Sequence, residues 1–370
     1  MSERSYMKRA LALARKGAGQ TSPNPMVGAV VVKNGRVIAE GYHERAGKPH
    51  AEAVALERAG KQAKGAELYV NLEPCCHTKK RTPPCVGAII GAGIRKVVAA
   101  MADPNPSVSG KGFEALRAAG VEVASGVLER EARTLNEAYI KFIQTGLPFV
   151  TLKSAMTLDG RIATSTCESK WITGQEASRL VHKLRMEVDA VLTAVGTVKA
   201  DDPQLTCRLD TADLELAGRQ TARDPIRVVI DPDLESPPGS RIFKTPPQTI
   251  LVSRKPVLQW VKNSGVKFLK AGQKEIPLPW LMAELGRMGI TSVLIEGGAS
   301  LNARAIEQGV VDKVALFYAP SIMGGMQSVP AFGGKGAASL ADMARIKSVS
   351  IKKAGKDIIL TGYVDLQNKD

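Results

Sequence analysis

No apolar run in this 370-residue chain approaches the roughly 18 residues that a membrane-spanning helix requires, so a membrane is not expected among its partners. The segment Met1 to Lys16 interleaves Glu3, Arg4, Lys8, Arg9 and Arg15 with apolar residues. That spacing reads as an amphipathic helix and lacks the uninterrupted apolar centre of a secretory signal, which makes the cytoplasm the expected compartment. Cysteine is sparse, odd in number at five, and irregularly spaced. Such usage argues against a disulfide framework and turns attention to metal binding. Internal repeats of fixed period and low-complexity tracts are both missing, which removes solenoid and linker-like architectures. The Gly-x-Gly-x-x-Gly fingerprint is not satisfied, because Gly91-Ala92-Gly93 leads into Ile94-Arg95-Lys96, and no Gly-Lys-Ser/Thr phosphate loop occurs. A Rossmann nucleotide site is therefore not expected.

What the chain does have is positive charge. Lys and Arg number 51 against 36 Asp and Glu, a formal net charge of +15. The basic residues are spread along the chain without a dense run, which suits a small phosphorylated substrate and gives no specific sign of nucleic acid. A 44% hydrophobic fraction with 24% charged residues is ordinary for a globular protein, and the length suggests two domains.

The first section alternates helix and strand signals. A helix is expected near Ser5 to Lys16, then strands Val27 to Lys33 and Arg36 to Tyr42 joined as a hairpin by Asn34-Gly35. A helix His50 to Ala59 follows, then strands Glu67 to Leu72, Lys96 to Met101 and Val121 to Ser125, separated by helices Val86 to Ala92 and Gly112 to Ala119. One further helix, Leu128 to Thr145, ends at Gly146 with Pro148 close behind, and this punctuation marks the expected domain boundary. The second section carries β-branched runs at 149–155, 190–195, 226–230, 249–252, 292–295, 313–318 and 357–364, with helical stretches between several of them. The fold class is α/β in two domains, 1–146 and 147–370, and the proline-rich stretch 232–247 reads as an irregular loop.

Chemistry concentrates at Pro49-His50-Ala51-Glu52, Glu73-Pro74-Cys75 and Pro83-Pro84-Cys85. A catalytic zinc takes three protein ligands and keeps one open position for water; His50, Cys75 and Cys85 supply that set. His50 and Cys85 each follow proline at an expected helix start, where unpaired amides and the helix dipole favour a thiolate. Glu52, two residues from His50, can reach the activated water without ligating the metal and so serves as the proton shuttle for hydrolysis of a ring amine. Ordered His-x-Glu and Pro-Cys elements of this kind mark zinc deaminases of nucleobases. Cys76 and His77, inside the loop between the two ligand cysteines, are competing donors, with Cys75 and Cys85 preferred because each follows a proline.

At these residues, and through Pro23-Asn24-Pro25 and Asn71-Leu72-Glu73-Pro74-Cys75, the chain resembles the riboflavin-biosynthesis deaminase–reductases, and the resemblance extends over nearly its whole length. It implies a cytidine-deaminase-like first domain acting on a diaminopyrimidine ribotide, with His50, Cys75 and Cys85 on zinc, Glu52 as acid/base and Asn24 on the base edge. The loop before Cys85 is one residue longer than the family pattern, and Cys76 stands where that pattern has Ser.

In the second half, Val293-Leu294-Ile295-Glu296-Gly297-Gly298-Ala299-Ser300 is an apolar strand running into two glycines and a helical stretch, a turn through which backbone amides can approach a phosphate. Leu152-Lys153-Ser154-Ala155, Leu158-Asp159-Gly160-Arg161, Trp171-Ile172-Thr173, Gly196-Thr197-Val198 and Ala200-Asp201-Asp202-Pro203 resemble the family's reductase domain, which is similar to dihydrofolate reductase. The resemblance implies NADPH contacts at Ala155, Trp171, Thr197, Asp201, Gly297, Gly298, Ala299, Ser300 and Leu301. It places Ser169, Arg185, Leu205, Arg208 and Glu296 toward the ribotide, with Arg185 and Arg208 on its phosphate. Ser253-Arg254-Lys255, after a strand, could receive a 2′-phosphate, and an exposed turn explains it equally well. A homo-oligomer is the expected assembly. Two other readings stand beside this one: an RNA-editing adenosine deaminase with a basic appended domain, and a binding protein with a closed structural zinc.

Overall fold

The computed structural model describes residues 2–76, 84–216, 222–272 and 275–365. The chain divides into two compact units, one ending at Gly146 and the other beginning at Leu147, a short segment from Glu215 excepted. Among the described residues no helix is long and apolar enough to cross a membrane.

The first unit opens with α1 (Glu3–Arg15), capped by the Ser2 side chain and burying Tyr6, Met7, Ala10, Leu11 and Ala14 along one face. Strands β1 (Gly28–Lys33) and β2 (Arg36–Tyr42) form the expected hairpin, with Asn34 and Gly35 both at positive φ. After α2 (Ala51–Ala59) the chain alternates β3 (Glu67–Val70), α3 (Cys85–Gly91), β4 (Lys96–Ala99), α4 (Lys111–Ala118) and β5 (Glu122–Ser125). The sheet order is β2-β1-β3-β4-β5, antiparallel at β2-β1-β3 and parallel beyond. Helix α2 lies so close on β2 that a Cβ at Gly41 would stand 2.4 Å from the Ala51 carbonyl oxygen. That close approach sets the height of the N-terminus of α2 over the sheet. The single helix expected from Leu128 to Thr145 is two, α5 (Glu129–Leu135) and α6 (Glu137–Thr145), broken at Asn136. The break has a local cause: the Asn136 side chain accepts from the Met26 amide (2.8 Å) and donates to the Met26 carbonyl (3.0 Å), pairing that distant backbone at both groups.

The second unit is built on a nine-stranded sheet. Its elements run β6 (Phe149–Thr157), β7 (Arg161–Ala163), α7 (Gln175–Glu187), β8 (Ala190–Ala194), α8 (Val195–Asp201), α9 (Thr211–Leu216), β9 (Ile226–Ile230), α10 (Arg241–Lys244), β10 (Thr249–Ser253), α11 (Gln259–Asn263), β11 (Lys267–Lys270), α12 (Leu278–Arg287), β12 (Ser292–Ile295), α13 (Ala299–Glu307), β13 (Lys313–Ala319), β14 (Val329–Pro330), β15 (Ile346–Ala354) and β16 (Asp357–Val364). The order is β11-β10-β9-β8-β12-β6-β13-β16-β15, parallel from β11 to β13 and antiparallel at the last two pairings, while β7 and β14 pair separately. The central strands read as continuous apolar runs because both their faces are covered. Strands β7, β11, β14 and β15 were not expected from the sequence; β15 exposes seven of its nine residues, so the burial pattern that betrays a strand is lacking there. The proline-rich stretch is irregular apart from α10, and buried Arg227 braces it by donating to the Thr245 and Pro247 carbonyls.

Candidate functional sites

His50 occupies the N-cap of α2 in extended backbone, Cys85 begins α3, and Cys75 follows β3 on the loop between them. Their ligand atoms all lie within 4.8 Å of one another; His50 Nδ1 is 3.6 Å from Cys75 Sγ and 3.3 Å from Cys85 Sγ. The start of α3 turns its amides toward the first cysteine: Cys85 N–H donates to Cys75 Sγ (3.4 Å) and Val86 N–H to the Cys75 carbonyl (3.2 Å). Cys76 is half-buried and outside this cluster; His77 lies outside the described residues.

The loop is held by two residues that sequence reasoning noted only as pattern. Asn71 accepts from Gly28 N–H and donates to the Met26 carbonyl. The carboxylate of Glu73, almost fully buried, accepts from the amides of Asp103, Gly110, Gly112 and Phe113, which ties the cysteine loop to the start of α4.

Glu52, in the first turn of α2, is 3% exposed, and its Oε2 is buried without a hydrogen-bond partner. Burial, and then the Cys75 sulfur, push its carboxyl above the ordinary range. The Cys75 sulfur together with burial likewise drives the Cys85 thiol far up. A divalent cation among the three donors reverses both penalties, and one imidazole with two thiolates is the donor set zinc takes, so the residues fit the metal. His50, Glu52 and Cys75 border a cavity of about 610 Å³ whose wall also includes Asn24, His43, Asn105, Tyr139 and Phe142. Asn24 Nδ2 is 3.2 Å from His43 Nε2, and His43 Nδ1 is 3.1 Å from the Pro49 carbonyl oxygen. Tyr139 O–H donates to Asp103 (2.9 Å). Apart from Asn24, sequence reasoning did not single out these wall residues, because helix periodicity does not say which face of α6 closes a cavity.

In the second unit a cavity of about 340 Å³ opens at the C-terminal ends of β6, β8 and β12, three neighbouring strands of the parallel region. Ligands of open α/β sheets bind outside the carboxyl ends of the strands. Eleven of the fourteen positions expected here line it: Ala155 on β6, Thr197 and Asp201 on α8, Gly297 and Gly298 after β12, with Ser169, Trp171, Arg185, Leu205, Arg208 and Glu296 around them. Ala299, Ser300 and Leu301 do not; they form the first turn of α13, and Leu301 packs so tightly under Gly297 that a Cβ there would meet it at 2.7 Å. Ser169 O–H donates to Asp201 (2.7 Å). Trp171 is 87% exposed at positive φ, which sets it apart from core tryptophan.

Arg185, expected at the phosphate, is bonded within the protein. Its Nε and Nη2 grip both oxygens of Glu296 (2.5 and 2.9 Å), and Nη1 donates to the Thr206 carbonyl (3.1 Å). A buried carboxylate claims a planar fork better than a solvated anion can. Burial alone would raise the Glu296 carboxyl, but Arg185 and then Lys153, whose nitrogen is 3.7 Å away, hold it down at about 2. Burial pulls Lys153 below its ordinary value. Lys153 was not singled out in the sequence, although a lysine centred in an apolar strand is a signal that could have found it, and His182, three positions before Arg185 on α7, completes the group. Arg254 pairs with Asp233 (2.7 Å) and does not line this cavity.

Residues 1–101 match the family model for the cytidine and deoxycytidylate deaminase zinc-binding region, and residues 148–360 match the RibD C-terminal domain. The riboflavin biosynthesis protein RibD of Aquifex aeolicus is 44% identical over 361 residues, 97% of each chain. That of Escherichia coli is 41% identical over 97% of this chain and 99% of its own. Among solved structures, RibD of Acinetobacter baumannii superposes with a TM-score of 0.88 at 38% identity, covering 98% of this chain and 99% of its own. The deaminase/reductase of Thermotoga maritima gives 0.88 at 37% identity over the same shares. None of these relatives is an RNA-editing enzyme. Likeness that runs through both units at such identities makes this chain a member of the riboflavin-biosynthesis deaminase–reductase family, RibD.

Proposed function

We propose that residues 1–146 remove the ring amino group of 2,5-diamino-6-(5-phosphoribosylamino)pyrimidin-4-one by zinc-dependent hydrolysis, and that residues 147–370 reduce the ribosyl group of the product to ribityl with NADPH. The observation that carries this reading is the His50, Cys75 and Cys85 donor set beside a buried, unpartnered Glu52 oxygen. Zinc held there supplies the Lewis acidity that makes a water nucleophilic near neutral pH. Glu52 takes the proton of that water on its carboxylate and passes it to the departing amine; a C–O bond forms, the C–N bond breaks and ammonia leaves. Asn24, braced by His43, addresses the base edge through its amide.

In the second unit NADPH supplies the hydride, and the protein's task is to place it. Ala155, Trp171, Thr197, Asp201, Gly297 and Gly298 hold the cofactor, and Ala299 to Leu301, the first turn of the next helix, support the glycine turn from behind. Ser169, Leu205 and Glu296 face the ribotide, Arg185 fixes the Glu296 carboxylate, and exposed Arg208 takes the phosphate. The partner is thus a small phosphorylated pyrimidine, with neither nucleic acid nor membrane involved, and the chain acts as a homo-oligomer. None of the five cysteines is in a disulfide, which supports the cytoplasm as its compartment.

The test supplies the diaminopyrimidine ribotide with and without NADPH, following ammonia and nicotinamide absorbance. Ammonia should appear without NADPH, and NADPH oxidation should follow deamination. Prior removal of zinc should abolish ammonia release and spare reduction of ribotide already deaminated. Deamination that survives zinc removal, or a ribotide left untouched while adenosine in transfer RNA is deaminated, would overturn the reading.

A further inference from the structure

The stretch Thr206 to Arg208 belongs to no helix or strand, yet Leu205 before it and Arg208 at its end line the reductase cavity. Side chains and carbonyls hold it there. Arg185 Nη1 donates to the Thr206 carbonyl (3.1 Å), the Cys207 thiol donates to the His182 carbonyl (3.5 Å), and Arg208 N–H donates to His182 Nδ1 (3.2 Å). Asp224 accepts from Cys207 N–H on the other side (2.6 Å). His182 and Arg185 are three residues apart on α7 and share a face, so one helix offers a template for the whole stretch.

His182 is 8% exposed and lines the cavity. Its Nδ1 accepts the Arg208 amide, so the ring carries its proton on Nε2. A second proton would set N–H against N–H. Burial opposes that protonation first, then the Arg185 and Arg208 cations, with Glu296 and the Thr206 carbonyl in partial opposition, and the imidazole is held down at about 4. The acceptor therefore persists through the neutral range. Arg208 has need of such an anchor. Its guanidinium sits at the end of a long, exposed side chain whose one hydrogen bond among the described residues is a long contact with Gln204 Oε1 (3.5 Å). Where that guanidinium can reach is set by its backbone, and the backbone amide is fixed by His182.

We propose that His182 is a positioning residue for the reduction: by accepting the Arg208 amide it aims the Arg208 guanidinium at the phosphate of the ribotide. This rests on the reading of Arg208 as the phosphate contact. The role is specific to one substrate, because the cofactor contacts at Thr197, Asp201 and Gly297 depend on other elements.

The experiment measures NADPH oxidation on deaminated ribotide with the full chain, varying each substrate in turn. In His182→Asn the amide oxygen falls near the place of Nδ1 and still accepts; in His182→Gln it lies one bond too far, and His182→Leu has no acceptor. Leu and Gln should each raise KM for the ribotide about tenfold, the effect of one lost hydrogen bond, with kcat and KM for NADPH within about twofold of the parent. Asn should restore KM to within about threefold of the parent. Arg208→Ala should raise the same KM, and adding His182→Leu to it should raise KM no further, since both act through one contact. If Arg208→Ala leaves KM unchanged, the phosphate reading of Arg208 fails. If Arg208→Ala raises KM while the His182 variants do not, or the two effects multiply in full, the positioning role is wrong. Should the Leu variant not fold, the contrast between Asn and Gln decides in the same way.

Discussion

A carboxylate oxygen buried without a hydrogen-bond partner costs stability, and a chain keeps such a group where something else uses it. Glu52 is that group in the first unit, and its neighbours His50, Cys75 and Cys85 indicate the use. Glu52→Gln preserves shape but cannot carry a proton. Ammonia release should fall at least about a hundredfold, with zinc content near that of the parent and NADPH oxidation on deaminated ribotide unchanged. Asp201→Ala should do the reverse: deamination retained, reduction weakened as Ser169 loses its partner. Metal analysis beside the two assays separates the outcomes, and normal deamination in Glu52→Gln would remove the proposed proton path. The cluster of His50, Cys75 and Cys85 could be read in the sequence because His-x-Glu and Pro-Cys are local signatures. Tyr139 and Asp103 could not, since their O–H···O contact joins residues 36 apart. The pairing of Arg185 with Glu296 spans 111 residues and was hidden for the same reason.

At the scale of elements, most strands announced themselves through apolar runs, and β9, β12 and β16 have the bounds that the sequence suggested. Edge and short strands did not, because β-pairing at an exposed edge leaves little mark on composition. Helix breaks were equally hidden: Asn136 has no helix-breaking chemistry strong enough to show in the sequence, and it ends α5 because Met26 is there to receive it. The seat of His50 and Glu52 depends on helix height over the sheet, which Gly41 sets. In Gly41→Ala the new methyl would meet backbone atoms Ala51 O and Ala55 N at 2.4 and 2.7 Å, so neither neighbour can swing aside. Overpacking of this kind costs on the order of 1–3 kcal/mol, and lifting α2 moves His50 and Glu52 together. Thermal unfolding and zinc content should both fall in this variant. A destabilised protein with full zinc occupancy would show that the ligands do not depend on that contact.

For the whole molecule, the question is whether two chemistries need one folded body. Gly146, in left-handed backbone (φ 72), ends α6, and β6 begins three residues later. Each side has apolar residues enough for a core. The cluster around Val30, Leu68, Val97 and Leu116 draws on the first unit, and those around Leu152, Leu192, Ile250 and Leu294 draw on the second. Both are of a size that folds alone. Separate expression of residues 1–146 and 147–370 should therefore give two cooperatively folding proteins, the first releasing ammonia from the diaminopyrimidine ribotide and the second oxidising NADPH on the deaminated product. Each rate should stay within about an order of magnitude of its rate in the full chain if the fragment keeps all its own contacts. The positive charge adds a check. With 51 basic residues against 36 acidic, steering of an anionic ribotide raises association rates at low salt, so kcat/KM of each fragment should fall as ionic strength rises. A second fragment that aggregates, or folds but reduces nothing until the first is added back, would mean that the reductase cavity is completed by the other half of the chain.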